Sequence, residues 1–383
     1  MLFPAITASS LGLLGLLQAT TAQPQCRRVT FNVTATAENL VYADMPDLSD
    51  SAAIRDYVRN GIANGPVTRG TSDVTGTYEI VGHYCQPSAC TRSKGVLQYL
   101  MHGAGYNQTL WTGLGLGDEY DWIRSATSQG YHTFTVDRLG HGENPDRPDP
   151  WSVLQIPFQA EVNHQILSAI RNDAGNPLRQ AFDTVILVGH SYGSSLGVNL
   201  LRQHPEDADA FVMTGWSTLL SANATIELDY VPASDVYPDR LHGLAKGYLA
   251  CRTEKARRDV YYAGDFDASI PAGDFLGGDT VGVGEILSIR LGLEPAAQFT
   301  GPVLAVMGEK DALLCNPQFG SCSEIMDATG SLFPAARNYQ YHIAPHTGHD
   351  LSLHYSAPHP AARVSEWLES GGFKPIRAAG CEL

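Results

Sequence analysis

Residues 184–197 read TVILVGHSYGSSLG, and this stretch decides the expected fold. Residues 185–188 are apolar and mostly β-branched, which predicts a buried strand, and residues 194–202 predict a helix. Between them lies a G-x-S-x-G turn centred on Ser191. The two glycines let the strand and the helix approach each other closely, while the serine Oγ stays exposed on a strained backbone. A strand, a tight turn and a helix in this order predict that Ser191 is a nucleophile.

Apolar strands and helical segments alternate along most of the chain. Strands are expected at 27–44, 75–84, 95–101, 131–136, 184–188, 208–214, 303–307 and 339–343. Helices are expected at 47–65, 118–128, 151–171, 194–202 and 361–368. This alternation predicts an α/β fold with a mostly parallel eight-stranded sheet and helices on both faces.

The alternation stops between residues 217 and 300, where short helical and irregular pieces rich in Tyr, Asp and Gly replace it. An insertion of this length between two sheet strands is typical of a lid. We therefore expect a cap at 217–300, inserted after the sixth strand, and a core formed by 23–216 and 301–383.

The first 22 residues carry no charged side chain and hold a short apolar core at 11–17. This pattern predicts a secretory signal peptide at 1–22, and the segment is too short to span a bilayer. No later segment is long enough either, so a secreted protein without a membrane span is expected. The net charge of −15 argues against nucleic acid and anionic membranes as partners. The sequence leaves the oligomeric state open.

Seven cysteines fit an oxidising compartment. Short sequence separations predict that Cys85 pairs with Cys90 and Cys315 with Cys322, while the pairing of Cys26, Cys251 and Cys381 stays open. None of the cysteines has zinc spacing with a histidine pair, so no metal is predicted. Sequons at Asn32, Asn107 and Asn223 are compatible with secretion, although Asn107 lies too near the expected site to favour a glycan.

A serine nucleophile requires a base and an acid that orients the base. Asp311 follows the strand at 303–307 and is the expected acid, with Glu309 as its rival. His349 follows the last strand on a glycine-containing loop and is the expected base. His346 and His354 are its rivals, but the order Ser, Asp, His along the chain favours His349.

The developing oxyanion needs two backbone N–H groups. One is expected from Tyr192, directly after the nucleophile, and the other from Ala104 in the glycine-rich loop after the third strand. Asp137 also follows a strand, but it precedes the nucleophile in the chain. We expect its carboxylate to accept hydrogen bonds from its own loop.

Taken together, these motifs resemble the α/β-hydrolase superfamily, in the branch with a cap after the sixth strand. The resemblance covers about residues 75–370 and rests on His102–Gly105, Asp137–Gly140, Gly189–Gly193, Asp311 and Gly348–His349. The segments 107–111 and 133–140 are similar to those of secreted fungal members. Epoxide hydrolases and haloalkane dehalogenases of this superfamily have Asp at the nucleophile position. Ser191 therefore favours acyl transfer.

The predicted function is hydrolysis of carboxylic esters or lactones of a medium-sized, partly apolar substrate, without a metal or an organic cofactor. One alternative is a proline-iminopeptidase-like aminopeptidase, which would need a carboxylate pair in the cap. The candidates for that pair are Asp229, Asp235, Asp239, Asp265 and Asp267. A hydrolase that tailors a secondary metabolite and a hydrolase-fold protein that only binds are further alternatives.

Overall fold

An eight-stranded sheet lies at the centre of the computed structural model, which describes residues 24–87, 91–92, 96–373 and 376–377. Its strands are β1 (Gln25–Tyr42), β2 (Thr68–Gln86), β3 (Val96–Met101), β4 (His132–Val136), β5 (Thr184–His190), β6 (Ala210–Thr214), β7 (Val303–Gly308) and β8 (Tyr339–Ala344). Their order is β1-β2-β4-β3-β5-β6-β7-β8, and β2 runs antiparallel to both of its neighbours while the remaining pairs are parallel. The predicted fold class is confirmed.

Helices cover both faces of the sheet. They are α2 (Trp122–Ser128), α3 (Ile156–Asn172), α4 (Tyr192–Gln203), and, after the insertion, α11 (Cys322–Thr329) and α12 (Pro358–Ser370), while α1 (Ser51–Asn64) packs against the insertion. Successive residues of β5 point to opposite faces: Val185 and Leu187 join the apolar cluster that includes α3 and α4, whereas Ile186 and Val188 join the cluster that includes α2 and α12. The uninterrupted apolar run of β5 follows from burial on both faces.

The helices expected at 47–65, 118–128 and 151–171 begin later than predicted, at Ser51, Trp122 and Ile156. The sequence indicated a helix from residue 151, but α3 begins at Ile156 with a proline in its first turn. Residues 151–155 form a turn, in which the carboxylate of Asp149 accepts hydrogen bonds from the backbone N–H groups of Trp151 and Ser152. Proline suits the first turn of a helix because it has no N–H to offer there.

The hairpin of β1 and β2 is longer than predicted. Only Gly82–Cys85 of β2 pair with β4, so the rest of the β1–β2 ladder extends past β4. Helix α1 connects the far ends of the two strands, and Asp50 caps it by accepting hydrogen bonds from the N–H groups of the first turn. The chain just before α1 touches the insertion, because Lys246 donates to the carbonyl of Ser49 and to the hydroxyl of Ser51.

Between β6 and β7 the chain forms short helices and a small antiparallel sheet. The helices are α5 (Ala222–Glu227), α6 (Ala233–Val236), α7 (Pro238–Leu241), α8 (Glu254–Tyr261), α9 (Ile270–Gly277) and α10 (Val283–Ser288), and the strands are Tyr230–Pro232, Tyr248–Cys251 and Val281–Gly282. Short 3₁₀ turns complete the chain at Gln108–Gly115, Asp118–Tyr120, Pro205–Asp207, Ile289–Leu293, Pro317–Phe319, Gly330–Leu332 and Leu351–Leu353, with a two-stranded pair at Thr91–Arg92 and Ile376–Arg377. We keep 217–300 as the proposed cap and call it the inserted segment.

One predicted disulfide is wrong. Cys85 pairs with Cys26 across the antiparallel β1–β2 ladder, where the two residues are direct partners. The predicted Cys315–Cys322 bridge is present. Cys251 is buried and free. Cys90, Cys381 and the expected signal peptide at 1–22 lie outside the described residues.

No helix within the described ranges is long and apolar enough to cross a membrane.

The sequons differ in accessibility: Asn32 and Asn223 are exposed, whereas the side-chain amide of Asn107 donates to Asp279 at 3.1 Å. Glycosylation stays a prediction.

Candidate active site

Ser191 lies at the sharp junction of β5 and α4. Its backbone has φ 53° and ψ −116°, in the left-handed region that is strained for a side chain with a Cβ. The N–H of Ser191 donates to the carbonyl of Thr214 on β6 at 2.9 Å. A Cβ at Gly189 would lie 2.6 Å from the backbone N of Ser194, and one at Gly193 would overlap the carbonyl of Met101. Both glycines are therefore needed for the close approach that exposes Ser191.

The structure brings the three residues predicted as nucleophile, base and acid together. The Nε2 atom of His349 lies 2.9 Å from Oγ of Ser191, and its Nδ1 atom lies 2.7 Å from Oδ2 of Asp311. Asp311 and His349 are buried, while Ser191 is partly exposed. This geometry allows His349 to accept the serine proton while Asp311 orients its ring.

The other carboxylate oxygen of Asp311 is also fixed. It accepts hydrogen bonds from the backbone N–H groups of Leu313 and Leu314 at 2.9 and 3.0 Å. The rival acid Glu309 is exposed and accepts instead from the backbone N–H of the exposed His346. Neither Glu309 nor His346 takes part in the hydrogen bond between Ser191 and His349.

The third candidate base, His354, supports the loop that carries His349. Its Nε2 atom accepts a hydrogen bond from the backbone N–H of Gly348 at 3.0 Å, and its Nδ1 atom donates to the carbonyl of Asp350 at 2.7 Å. Both ring nitrogens are therefore occupied by backbone groups, and burial lowers the pKa of His354. His354 has no free lone pair for a serine proton.

The predicted oxyanion donors flank the nucleophile. Tyr192 is the first residue of α4, and Ala104 belongs to the loop after β3. Among the described residues, neither backbone N–H donates to another group. A Cβ at Gly103, next to Ala104, would lie only 3.2 Å from Cβ of Ser191, so this loop passes directly over the serine.

Ala104 and Tyr192 also line one small cavity. It has a volume of about 50 Å³. Its walls are mainly apolar and come from α1 and the inserted segment, with Arg290 and Thr225 as polar members. The apolar wall includes Ile62, Leu220, Tyr230, Val281, Ile286 and Leu287.

Asp137 has the structural role expected from the sequence. Its two carboxylate oxygens accept hydrogen bonds from the backbone N–H groups of Gln108 and Glu143, both at 2.8 Å. Burial raises the pKa of Asp137 to about 6 in spite of these bonds. The carboxylate holds two loops together and does not contact His349.

The carboxylates that an aminopeptidase would need do not line this cavity. Asp229 is paired with Arg59 and Arg252 at 3.4 and 3.5 Å. Asp267 accepts from Ser269, and the others predicted for this role, Asp235, Asp239 and Asp265, are exposed.

Among the described residues, two groups place three potential metal-ligand atoms within 4.8 Å of one another. One consists of Glu161, His164 and His204. The imidazole rings of His164 and His204 stack with their centroids 3.5 Å apart and an interplanar angle of 10°. Lone pairs in parallel ring planes do not converge on one ion. The other group, His190, His349 and Asp350, includes the candidate base, and its hydrogen bonds serve the arrangement described below. The expectation that the protein needs no metal stays a prediction.

A comparison with family models matches residues 99–366 to the alpha/beta hydrolase family. Among solved structures, the chain is similar to the carboxylesterase CesB (YbfK) from Bacillus subtilis, with 18% identity, coverage of 76% of this chain and 88% of that one, and a TM-score of 0.46. A thermophilic esterase from Thermogutta terrifontis has 15% identity, coverage of 77% and 95%, and a TM-score of 0.49. A bromoperoxidase from Bacillus anthracis has 18% identity, coverage of 82% and 98%, and a TM-score of 0.49. No curated protein matches the chain.

Proposed function

The chain belongs to the alpha/beta hydrolase family, and we propose that it is a secreted serine hydrolase of carboxylic esters or lactones. One observation carries this proposal: Ser191, His349 and Asp311 form a continuous hydrogen-bonded chain, with distances of 2.9 and 2.7 Å. A buried carboxylate, an imidazole and a partly exposed serine in this order are the parts that acyl transfer requires.

In the proposed reaction, Oγ of Ser191 attacks the carbonyl carbon of the ester while Nε2 of His349 takes its proton. Asp311 holds the imidazole in the productive tautomer and stabilises the imidazolium. The N–H groups of Ala104 and Tyr192 stabilise the oxyanion. His349 then returns the proton to the leaving alcohol, and water releases the acid from the acyl-enzyme on Ser191.

The cavity beside Ala104 and Tyr192 supports an apolar group next to the scissile carbonyl. Its volume of about 50 Å³ limits this group to a short chain, so the rest of a medium-sized substrate must extend outside it. Its apolar walls favour an acyl group over a charged one.

The two disulfide bonds within the described residues support secretion. The Cys26–Cys85 and Cys315–Cys322 bridges form and persist in oxidising compartments. They agree with the signal peptide expected from the sequence.

A hydrolysis panel tests the proposal. It would contain p-nitrophenyl esters of short and long acids, an aromatic ester, a lactone and proline p-nitroanilide. We expect hydrolysis of short-chain esters or the lactone, lost in Ser191→Ala and His349→Gln but kept in the matched variants Glu309→Gln and His346→Gln. Cleavage of the anilide alone would favour the aminopeptidase alternative. Absence of both turnover and Ser191 labelling by a fluorophosphonate would favour a protein that only binds.

A further inference from the structure

A second histidine–carboxylate pair lies directly behind the first. Asp350 follows His349 in the chain, His190 precedes Ser191, and both side chains are buried. The Nε2 atom of His190 lies 3.3 Å from Oδ1 of Asp350. The immediate neighbours of the proposed base and nucleophile thus hold each other through their side chains.

The pair continues through a tyrosine hydroxyl. The hydroxyl of Tyr106, from the loop that also carries Ala104, donates to Oδ2 of Asp350 in a short hydrogen bond. The same hydroxyl lies 3.1 Å from Oδ2 of Asp274 in the inserted segment. A phenol has one proton, which the short bond to Asp350 uses, while the hydroxyl also contacts Asp274; Tyr106 therefore joins the histidine loop to the inserted segment.

Asp274 is in turn held by a buried arginine. Arg257 on α8 donates from Nε and Nη2 to the two carboxylate oxygens of Asp274 at 2.7 and 2.8 Å. Its guanidinium lies over the rings of Tyr106 and Tyr261, 4.4 and 5.0 Å from their centroids. A bidentate pair with aromatic faces on the guanidinium fixes all of these side chains in one geometry.

The backbone makes the same connection. The N–H of His349 donates to the carbonyl of Tyr261 at 2.8 Å, and the N–H of Asp265 donates to the carbonyl of His346 at 2.8 Å. The stretch 261–265 of the inserted segment is therefore hydrogen-bonded along the loop that carries the base.

We call the side chains of Tyr106, Arg257, Asp274 and Asp350 the buried bridge. We propose that the buried bridge positions His349 against Ser191, and that α8 with residues 261–265 forms a fixed wall of the active site. The inference rests on the proposed function, since it assigns positioning residues to the same reaction. Any opening of the inserted segment must then occur elsewhere, because opening at α8 would break the hydrogen bonds to the base.

The charges of the bridge also act on the base. The ionisable groups around His349 are Asp311, Asp350, His190, Arg257, Tyr261 and His354. Asp350 adds a negative charge that favours the imidazolium, so its removal lowers the pKa of His349. A residue with a purely structural role would not shift this pKa.

Two conservative substitutions test the proposal. Tyr106→Phe removes only the hydroxyl that joins the two carboxylates, and Asp350→Asn keeps the size of the side chain but removes its charge. We expect kcat for the best ester of the panel to fall by about 10- to 100-fold in each variant, with KM changed by less than about threefold, because displacement of the base by a fraction of an ångström has effects of this size. The acid limb of the pH–rate profile should also move to lower pH in Asp350→Asn. Arg258→Gln, an exposed neighbour on α8, is the matched control and should behave as the parent.

The outcomes separate this inference from the proposed function. If the parent neither hydrolyses the panel nor labels at Ser191, the proposed function fails, and an imidazole NMR titration of His349 still tests whether Asp350→Asn lowers its pKa. If the parent is active and both variants keep kcat within twofold with an unchanged pH profile, the buried bridge has no positioning role. Should Asp350→Asn fail to fold, Tyr106→Phe decides alone, since its ring packing is retained.

Discussion

The Nδ1 atom of His349 lies 2.7 Å from Oδ2 of Asp311, and both side chains are buried. Burial by itself lowers the pKa of His349, but the charge of Asp311 and its hydrogen bond reverse this, so the pKa stands above the ordinary value of 6.5. In the proposed mechanism the base must be neutral before Ser191 can react. In that mechanism, the His349–Asp311 pair determines the pH range of activity.

We predict that kcat/KM increases as the pH rises through the pKa of His349, with a midpoint above 6.5. Asp311→Asn should lower this midpoint, because the charge that stabilises the imidazolium is lost, and should reduce kcat by about 10⁴-fold. A pH–rate profile of the parent and the variant measures both effects. A midpoint below 6 in the parent, or a larger loss in Glu309→Gln than in Asp311→Asn, would contradict this assignment.

The size of the cavity beside Ala104 should set the preferred acyl chain. Leu287 lines the cavity, and Leu287→Ala removes three carbons from its wall. We expect the ratio of kcat/KM for hexanoate over acetate esters to increase by about tenfold, since each accommodated methylene contributes on this scale. The matched control is Leu276→Ala, because Leu276 is 71% exposed. An unchanged ratio in Leu287→Ala would show that the acyl group binds elsewhere.

A buried ion pair joins the core to the inserted segment. Arg138, from the loop after β4, makes a short contact with Glu285 on α10, and neither side chain is exposed. Gln159 and His141 also bond to the carboxylate of Glu285, at 2.7 and 2.9 Å. Burial alone raises the pKa of Glu285, but Arg138 lowers it well below its usual range, so the group stays ionised.

Glu285→Ala leaves Arg138 buried without its partner, and we expect the free energy of unfolding to fall by about 3–5 kcal/mol. Denaturant unfolding would measure the loss. Glu294 forms a surface pair with Arg202 at 3.3 Å, so Glu294→Ala is the control and should cost less than about 1 kcal/mol. Equal losses in the two variants would mean that the buried pair does not anchor the segment.

The Cys26–Cys85 bridge closes a sequence separation of 59 residues. Replacing both cysteines by serine should reduce the free energy of unfolding by about 4 kcal/mol, because the unfolded chain gains the entropy of an open loop. Cys251→Ser is the control. Burial raises the pKa of the Cys251 thiol to about 11, so this thiol should resist alkylation until the protein unfolds. A peptide map with Cys85 joined to Cys90 would contradict the pairing.

The sequence was most informative about the fold where the pattern of residue types favoured a single local structure. The apolar, mostly β-branched run 185–188 favoured a strand buried on both faces, and the glycines around Ser191 favoured a close approach, so the central sheet and the elbow were predictable. The proposed acid and base followed from their positions after strands, because parallel strands end at one edge of the sheet. The hydrogen bond between His349 and Asp311 could be seen only in the structure.

Other features depend on contacts that are distant in the sequence. Residues 68–73 are exposed and carry no apolar side chain, so no apolar alternation indicated that β2 extends so far beyond its pairing with β4. Arg257 lies in the charged run 254–259, which is typical of a solvated helix face, yet it is buried against Asp274. Cys85 has a nearer cysteine in sequence than Cys26, and only the strand register brings Cys26 opposite to it. The sequence feature that could have indicated the buried bridge is Asp350, the acidic residue directly after His349.

The most direct test of the central claim is labelling with a fluorophosphonate, followed by peptide mapping, on the parent, Ser191→Ala and His349→Gln proteins. We predict one phosphonylated residue in the parent, Ser191, with no labelling of Ser191→Ala and labelling of His349→Gln slowed by about 10³-fold or more. Labelling at another residue, or equal labelling of the parent and the folded Ser191→Ala protein, would contradict the assignment of Ser191 as the nucleophile.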